Sequence, residues 1–312
     1  MSVPHIPVML EAVVRLLVPP GRSPARAIDG TLGAGGHTAA LLDAGVGSVL
    51  GLDLDPLALA IASERLRDYG QRAHLHHSSY EHMTEAAASL GWDAVDAILL
   101  DVGVSSMQID TPARGFAFMD DGPLDMRFDP GGSRPPAAEL VNYWDESELA
   151  DIFYRYGEER HSRRIARAIV AARPIESTAR LADVVAGAVP RPNKREARTA
   201  RRIHPATRIF QALRIAVNDE LGALERTLPQ ALDLLRPGGR LAVISFHSLE
   251  DRIVKRTFRE ASLEIVSPPG MVLEERQPVV RLMTRKPIVP DEDEQARNPR
   301  SRSARLRVVE KL

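Results

Sequence analysis

The chain has 312 residues, of which 44% are apolar, 27% are charged and none is cysteine. This composition is typical of a globular protein, and it excludes a disulfide framework, a catalytic thiolate and a cysteine-bound metal. No segment reaches the roughly 18 consecutive apolar residues that span a bilayer, and the start lacks the basic region and cleavage site of a signal peptide. We therefore expect a cytoplasmic protein of one large or two modest domains, without membrane association.

The formal net charge of −1 conceals two basic segments. Residues 191–214 contain eight lysines and arginines and one acidic residue. Residues 297–312 contain six lysines and arginines and one acidic residue. Phosphate groups respond to such local patches rather than to net charge. Because solvated helix faces give the same pattern, charge alone leaves nucleic-acid binding open.

The first hundred residues alternate short apolar runs with helical patterns. Strands are predicted for the apolar runs 25–31, 48–53, 73–77 and 95–101. Helices between successive strands indicate βαβ units, which assemble into a doubly wound parallel sheet. The fold class predicted for the start of the chain is therefore α/β.

The pattern changes after the fourth predicted strand. Residues 103–136 are rich in Gly, Pro, Asp and Ser, and residues 137–190 show helical spacing without strand alternation. We interpret residues 105–205 as a small helical domain inserted into a discontinuous core of residues 1–104 and 206–312.

The α/β pattern resumes in the last third of the chain. The sequence RPGG at 236–239 predicts a turn that leads into a strand at 240–246, and a helix follows at 249–260. Near the end, residues 281–284 and 305–309 are candidates for a pair of edge strands.

A glycine-rich loop, DGTLGAGGH at residues 29–37, follows the first predicted strand. Its glycines let the backbone approach a ligand and let a helix N-terminus face it, although a merely tight turn needs glycines as well. Asp53 lies 20 residues beyond Gly33, where dinucleotide-binding folds place an acid against ribose hydroxyls. Asp101, at the end of the fourth strand, is expected at the same cleft. Three strand ends that converge in this way predict a nucleoside-bearing cofactor.

Longer segments extend this pattern along the whole chain. They include HIPVMLE at 5–11, LDVGVSS at 100–106, HPATRIFQALR at 204–214, SFHSLEDR at 245–252 and NPRSRS at 298–303. In this order they resemble the MraW/RsmH family, which methylates N4 of a cytosine in the decoding region of bacterial 16S ribosomal RNA. The resemblance implies a class I S-adenosylmethionine-dependent methyltransferase, Rossmann-like and mostly parallel, with an inserted helical substrate-recognition domain. It also implies small-subunit ribosomal RNA as partner, within the ribosomal small subunit.

Seven residues carry the contacts with S-adenosylmethionine that the resemblance implies. Asp53 would bind the ribose, and Tyr80 would lie beside the adenine, where the family commonly has Phe. Asp101 and Gln108 would close the methionine side, and His37 could instead contribute only its backbone. The full set is Gly35, Gly36, His37, Asp53, Tyr80, Asp101 and Gln108.

Methyl transfer to cytosine N4 needs an acceptor for the N4 hydrogens, because the lone pair of that nitrogen is delocalised into the ring. Many amino-methyltransferases place Asp/Asn-Pro-Pro-aromatic after the fourth strand, whereas this chain reads DVGVSS from Asp101. Asp101 is the candidate catalytic acceptor, with a cofactor-only role as the alternative. Phe246 and His247 follow the next strand and could replace the missing aromatic, since flipped bases stack on aromatic rings. Phe246 could equally be a core residue.

Arginines of the two basic segments are the candidate RNA contacts. The alternative is that they cap helices or pair with the acidic run at 291–294. The candidates are Arg195, Arg198, Arg201, Arg202, Arg300 and Arg302.

Other classes of function fit parts of this pattern. Asp53-Leu-Asp55 also resembles the D-x-D motif of nucleotide-sugar transferases. A non-enzymatic RNA-binding protein that kept the cofactor fold is the alternative outside enzymes. The histidine run at 74–77 lacks a downstream carboxylate ligand, so no metal site is predicted.

Overall fold

The computed structural model describes residues 6–189, 204–264 and 277–312. Its contacts divide the chain into a first unit made of Met1–Gly103 and Leu221–Leu312 and a second unit, Val104–Glu220. Within the described ranges, no helix combines the length and the apolar character needed to cross a membrane.

The helices and strands follow the chain in three groups. The first unit begins with α1 Leu10–Leu17, β1 Arg26–Asp29, α2 Gly36–Asp43, β2 Ser48–Asp53, α3 Pro56–Arg65, β3 Ala73–His77, α4 Met83–Ser89 and β4 Val95–Asp101. The second unit contributes α5 Ser106–Asp110, α6 Ala137–Tyr143, α7 Glu146–Arg155, α8 Ser162–Ala171, α9 Thr178–Ala188 and α10 Ala206–Asn218. The chain then continues with α11 Glu220–Leu234, β5 Leu235–Ser245, α12 Ser248–Ala261, β6 Val280–Leu282, α13 Glu292–Arg297 and β7 Arg305–Lys311.

In the part of the chain that the structure describes, seven strands form one sheet in the order β3-β2-β1-β4-β5-β7-β6. The first five strands in this order are parallel, whereas β7 is antiparallel to β5 and β6 is antiparallel to β7. The prediction of a mostly parallel α/β sheet is confirmed. The two C-terminal strands pair with each other as predicted, but only β6 lies at an edge, because β7 lies between β5 and β6.

Strand β5 begins at Leu235 and includes the segment 236–239, for which the sequence predicts a turn. The register against β4 shifts between Val95 and Ala97. The extra residues form a bulge, in which Gly238 has a φ of 80°, a left-handed conformation that glycine adopts without strain. The strand therefore accommodates the predicted turn residues instead of starting after them.

Successive side chains of the strands point to opposite faces of the sheet, and each face has its own apolar cluster. On one face, Ile28 and Leu50 belong to a cluster shared with α4, α11 and α12. On the other face, Ala27 and Val49 belong to a cluster shared with α1, α2 and α3. Burial on both faces explains why β2 and β4 read as nearly continuous apolar runs.

The second unit has its own apolar core, built mainly by α6 to α10. Phe153 of α7, Ile165 of α8 and Leu213 of α10 are fully buried in it. Because α10 packs here, the second unit extends to Glu220, whereas the sequence analysis ends the inserted domain at residue 205. A helical stripe has the same spacing whichever core it faces, so periodicity does not locate this boundary. The role of the unit in substrate recognition stays a prediction.

A buried ion pair fixes α12 against β7. Asp251 accepts hydrogen bonds from Arg307 at 2.7 and 3.1 Å and from Arg305 at 3.1 Å. Burial by itself would raise the pKa of Asp251, but the bonds to the two guanidinium groups outweigh it and hold the pKa below its ordinary value. The pair therefore holds the start of α12, and with it residues 246–248, at the carboxyl end of β5.

Candidate functional site

Three acidic side chains end neighbouring strands in the first unit. Asp29 ends β1, Asp53 ends β2 and Asp101 ends β4. Strand β1 pairs in parallel with both of the others, so the three strand ends are adjacent, as the sequence predicts. In open α/β sheets, ligands bind at this carboxyl edge.

Asp29 positions the glycine-rich loop. Its side chain is completely buried, with Oδ2 accepting a hydrogen bond from the Thr38 hydroxyl at 2.8 Å and Oδ1 accepting one from the Thr31 N–H at 3.3 Å. Burial raises the pKa of Asp29 to about 6, although the bonds to Thr38 and Thr31 oppose the shift. These bonds connect the end of β1 to α2 across the loop. Sequence reasoning did not assign this role, although an acid directly before such a loop is a usable signal for it.

The glycines allow neighbouring segments to pack closely against the loop. A side chain at Gly36 would overlap Pro7. A side chain at Gly35, where φ is 76°, would be strained and would press on Leu66. Because α2 begins at Gly36, the free N–H groups of its first turn lie at this edge of the sheet.

Asp53 holds the loop from the end of β2. Its Oδ2 accepts a hydrogen bond from the Gly33 N–H at 2.7 Å, and its Oδ1 accepts one from the Asp55 N–H at 2.9 Å. Burial raises the pKa of Asp53 to about 6; the two backbone bonds oppose this shift, and the charges of Asp55 and Asp29 add to it. Each carboxylate oxygen has a second acceptor position. Asp53 can therefore hold the loop and still accept hydrogen bonds from a ligand.

Asp101 has a carboxylate oxygen, Oδ1, that is buried and accepts no hydrogen bond from the part of the chain that the structure describes. The backbone N–H of the same residue donates to the Thr31 hydroxyl at 2.6 Å, which fixes the end of β4. Burial, together with the negative charges of Asp29 and Glu250, raises the pKa of Asp101 well above its ordinary value. Buried acceptors in proteins normally have a donor, so Oδ1 is where a donor from a ligand fits.

The imidazole of His37 lies beside Asp101. Its Nε2 is 2.9 Å from the Val8 carbonyl oxygen, and its Nδ1 is 3.8 Å from Asp101 Oδ2. Burial lowers the pKa of His37 to about 4, although the bond to Val8 opposes the shift. A neutral ring that donates through Nε2 presents Nδ1 as an acceptor toward Asp101. The side chain of His37, and not only its backbone, therefore lies at this edge.

Tyr80 approaches the loop from the turn after β3. A side chain at Gly30 would come within 3.1 Å of Tyr80 Cβ, so the tyrosine lies next to the start of the loop. Gln108 belongs to the second unit, where it is buried and closes a capping box with Ser105 at the start of α5. The contacts of Tyr80 and Gln108 with the cofactor stay predictions.

A second capping box fixes the residues after β5. Oε2 of the buried Glu250 accepts hydrogen bonds from the N–H groups of Phe246 at 2.8 Å and His247 at 3.2 Å. His247 is the N-cap of α12: its Nδ1 accepts from the Glu250 N–H at 3.4 Å, and its Nε2 lies 3.0 Å from Glu250 Oε1. Sequence reasoning missed this role of Glu250, although an acid three residues after an N-cap is the signal for it.

A cavity of about 370 Å³ lies beside the end of β5 in the first unit. Phe246, His247 and Ser248 contribute to its lining, and so do Arg302 and Arg305. The ring of Phe246 is half-buried and also packs against the apolar cluster on its face of the sheet. The structure thus brings together the predicted residues Phe246, His247 and Arg302, and it gives Phe246 both a core contact and a place in the cavity wall.

The remaining predicted RNA contacts are distributed differently. Arg300 lies with Arg302 in the short turn Pro299–Ser303. The acidic run at 291–294 lies mostly in α13, where Oε1 of Glu294 accepts a hydrogen bond from the Met9 N–H at 2.5 Å. Four predicted contacts lie outside the described residues: Arg195, Arg198, Arg201 and Arg202.

Comparison with known proteins identifies the relatives of this chain. The family model described as the MraW methylase family matches residues 2–312. The chain belongs to the MraW methylase family. It is 52% identical to ribosomal RNA small subunit methyltransferase H of Syntrophobacter fumaroxidans, with 98% of this chain and 96% of that protein covered. It is 51% identical to the protein of the same name from Geobacter sulfurreducens over 100% of both chains. Among solved structures, an rRNA methylase from Streptococcus thermophilus is 13% identical with a TM-score of 0.42, over 97% of this chain and 93% of that one.

Membership confirms the prediction of a class I methyltransferase, and S-adenosylmethionine is its methyl donor. The residues at the carboxyl edge fit this cofactor, which carries a ribose diol, a sulfonium cation and an ammonium group. Asp53 would accept hydrogen bonds from the diol at the acceptor positions that its two backbone bonds leave open. The positive charges of the cofactor also balance acids that are otherwise crowded and buried.

Affinity for the cofactor is expected to rise about tenfold between pH 5 and pH 7. The pKa of Asp53 is raised to about 6 in the protein, so only about one tenth of the carboxyl groups are ionised at pH 5, and the ionised form is the better acceptor for ribose hydroxyls. His37, with a pKa of about 4, stays neutral through this range. Calorimetric titration with S-adenosylhomocysteine across the pH series measures the effect. The Asp53→Asn variant is the control and should show a flatter profile; a wild-type affinity independent of pH would contradict the prediction.

Proposed function

We propose that this methylase transfers a methyl group from S-adenosylmethionine to the exocyclic N4 amine of a cytosine in the decoding region of bacterial 16S ribosomal RNA. The observation that carries the proposal is the Oδ1 of Asp101 at the end of β4, which is buried and has no hydrogen-bond partner among the described residues. An amine that is to be methylated needs such an acceptor. The names of the full-length relatives supply the class of RNA.

Bound S-adenosylmethionine supplies an electrophilic methyl group. Asp101 accepts a hydrogen bond from N4 and thereby localises the nitrogen lone pair, since the amine hydrogen is drawn toward the carboxylate. As the bond from N4 to the methyl carbon forms and the bond from that carbon to sulfur breaks, N4 would release this hydrogen as a proton to the carboxylate, which leaves a neutral methylamino group. The hydrogen bond from the Asp101 N–H to the Thr31 hydroxyl positions the strand end that carries this carboxylate, and His37 Nδ1 lies 3.8 Å from its other oxygen. Positioning of this kind supplies much of the rate in a group transfer.

The cavity beside β5 is the place we assign to the target nucleotide. It adjoins the strand that pairs with β4, and a side chain at Gly103 would touch the Phe246 ring at 3.5 Å, so the ring lies close to the segment after Asp101. Phe246 offers a face for base stacking, which is how many enzymes hold an extruded base. Arg302 brings a cation to the cavity for a flanking phosphate. His247 fixes this wall as the N-cap of α12, and a direct role for it in catalysis remains part of the proposal.

The proposal includes the setting of the reaction. The substrate is the RNA within the ribosomal small subunit, the protein acts in the cytoplasm, and no metal takes part. The helical second unit is the substrate-recognition domain, and Arg195, Arg198, Arg201, Arg202, Arg300 and Arg302 contribute contacts to phosphates.

Mass-spectrometric mapping of methylcytosine in ribosomal RNA from a deletion strain tests the proposed function. One N4-methylated cytosine should disappear from the decoding region, and wild-type protein should restore it while the Asp101→Asn variant should not. An unchanged methylation pattern would overturn the assignment. Thermal protection tests the alternative of a nucleotide-sugar transferase. S-adenosylhomocysteine should raise the Tm of the protein, and a nucleoside diphosphate with manganese should not.

A further inference from the structure

Helix α8 of the second unit has an outward face built almost entirely of arginines. Arg163 and Arg164 lie four and three residues before Arg167, which places these three on one side of the helix, and Arg160 lies just before the helix. All four are exposed, whereas Ile165 and the other apolar residues of α8 are buried in the core of the unit. We propose that this arginine face binds phosphates of the RNA substrate; the inference rests on the proposed function and names the surface of the second unit that contacts the RNA.

Helix stability does not account for these arginines. The first turn of α8 contains Arg163 and Arg164 and no acidic residue, although the positive end of the helix dipole favours acids there and disfavours cations. Like charges three and four residues apart also repel each other. The arginines therefore destabilise the helix, and a helix face that only contacts solvent does not need this arrangement of charges.

Neighbouring acids do little to neutralise the arginine face. Among the described residues, these four arginines have one ion pair, between Arg167 and Glu146 at 3.4 Å, and both of its side chains are substantially exposed. Two other acids close in sequence are engaged elsewhere: Glu159 is buried 3.6 Å from Arg208, and Asp151 pairs with Arg155 at 3.2 Å. The guanidinium groups at the start of α8 are therefore available to an external anion.

The chemistry of this face selects phosphate among possible partners. Guanidinium groups bind phosphate oxygens through paired hydrogen bonds. They are weakly hydrated, so removing water from them on contact costs little free energy. Protein interfaces and membrane-surface helices use large apolar or aromatic residues as anchors. The face has no exposed residue of this kind between the arginines. A row of cations without such anchors is typical of contacts with a nucleic-acid backbone.

The Arg163→Gln/Arg164→Gln double variant tests the proposal. Binding of a synthetic decoding-region RNA is measured over a salt series, because each lost phosphate contact reduces the slope of log K against log salt by about 0.7–0.9. The double variant should therefore flatten the slope by about 1.4–1.8, and its affinity for S-adenosylhomocysteine and its Tm should not fall. The matched control, Arg155→Gln/Arg180→Gln, removes the same charge from the same unit and should keep the wild-type slope.

The possible results separate this inference from the proposed function. If the wild type methylates small subunits and binds the RNA but the double variant keeps the wild-type slope, the arginine face is not a phosphate site and the proposed function stands. If the wild type itself neither binds nor methylates the RNA, the proposed function fails. Loss of binding to intact small subunits with unchanged binding to protein-free RNA would assign the face to a ribosomal protein and overturn the inference.

Discussion

Replacing Asp53 with alanine is expected to lower the affinity for S-adenosylmethionine at least tenfold. The variant removes a charged acceptor from the ribose hydroxyls, and a hydrogen bond to a charged group contributes about 1.5–3 kcal/mol. It also removes the acceptor that holds the Gly33 N–H at 2.7 Å, so the loop loses its attachment to β2. Both effects lower the affinity for the cofactor. Calorimetric titration of the folded variant measures the loss, and an unchanged affinity would remove Asp53 from the cofactor site.

Asp55→Ala is the matched control for this experiment. Asp55 is the N-cap of α3, and its Oδ1 accepts a hydrogen bond from the Leu57 N–H at 3.0 Å. Loss of an N-cap costs about 1 kcal/mol of stability, but this side chain is not assigned a contact with the ribose. The control should therefore have a lower Tm and nearly wild-type affinity. Equal losses of affinity in both variants would show that damage to the start of α3, and not a lost ribose contact, explains the effect.

Replacing Asp101 with asparagine is expected to reduce the rate of methyl transfer about 100-fold or more at saturating cofactor. The amide has nearly the same size but no negative charge, so it localises the N4 lone pair less well. A positioned side chain that accepts a proton in the transition state contributes about 10²–10⁴-fold to the reaction rate. Thr31 still receives the backbone N–H of residue 101, so the strand end should keep its geometry. Single-turnover methylation of small subunits measures the rate.

The Asp53→Ala variant separates the two possible roles of Asp101. Both defects of this variant weaken binding of the cofactor, so raising S-adenosylmethionine to saturation should restore its rate. The Asp101→Asn variant should stay slow under the same conditions. Full recovery of Asp101→Asn at saturation would show that Asp101 only binds the cofactor, and the acceptor for N4 would then be sought among the residues that line the cavity, near Phe246 and His247.

Local sequence patterns determined the sheet and the residues at its carboxyl edge. Apolar runs bounded by turn residues placed β1 to β4 within a few residues of their observed limits. The acids that end two of these runs, Asp53 and Asp101, were expected at the same edge because parallel strands end at one edge of the sheet. The family resemblance added the identity of the cofactor and the class of RNA.

Only the tertiary structure decided which partners the side chains at that edge have. The sequence does not show that Asp101 Oδ1 is buried without a donor among the residues that the structure describes, that His37 Nδ1 faces the same carboxylate, or that Glu250 holds the backbone of Phe246. These contacts join residues far apart in the chain, or depend on burial, which no local pattern reports. The end of the second unit at Glu220 also depends on contacts between residues far apart in the chain. The spacing of α10 predicts a buried face but not the core that buries it, because the choice of core is made by packing between helices distant in sequence.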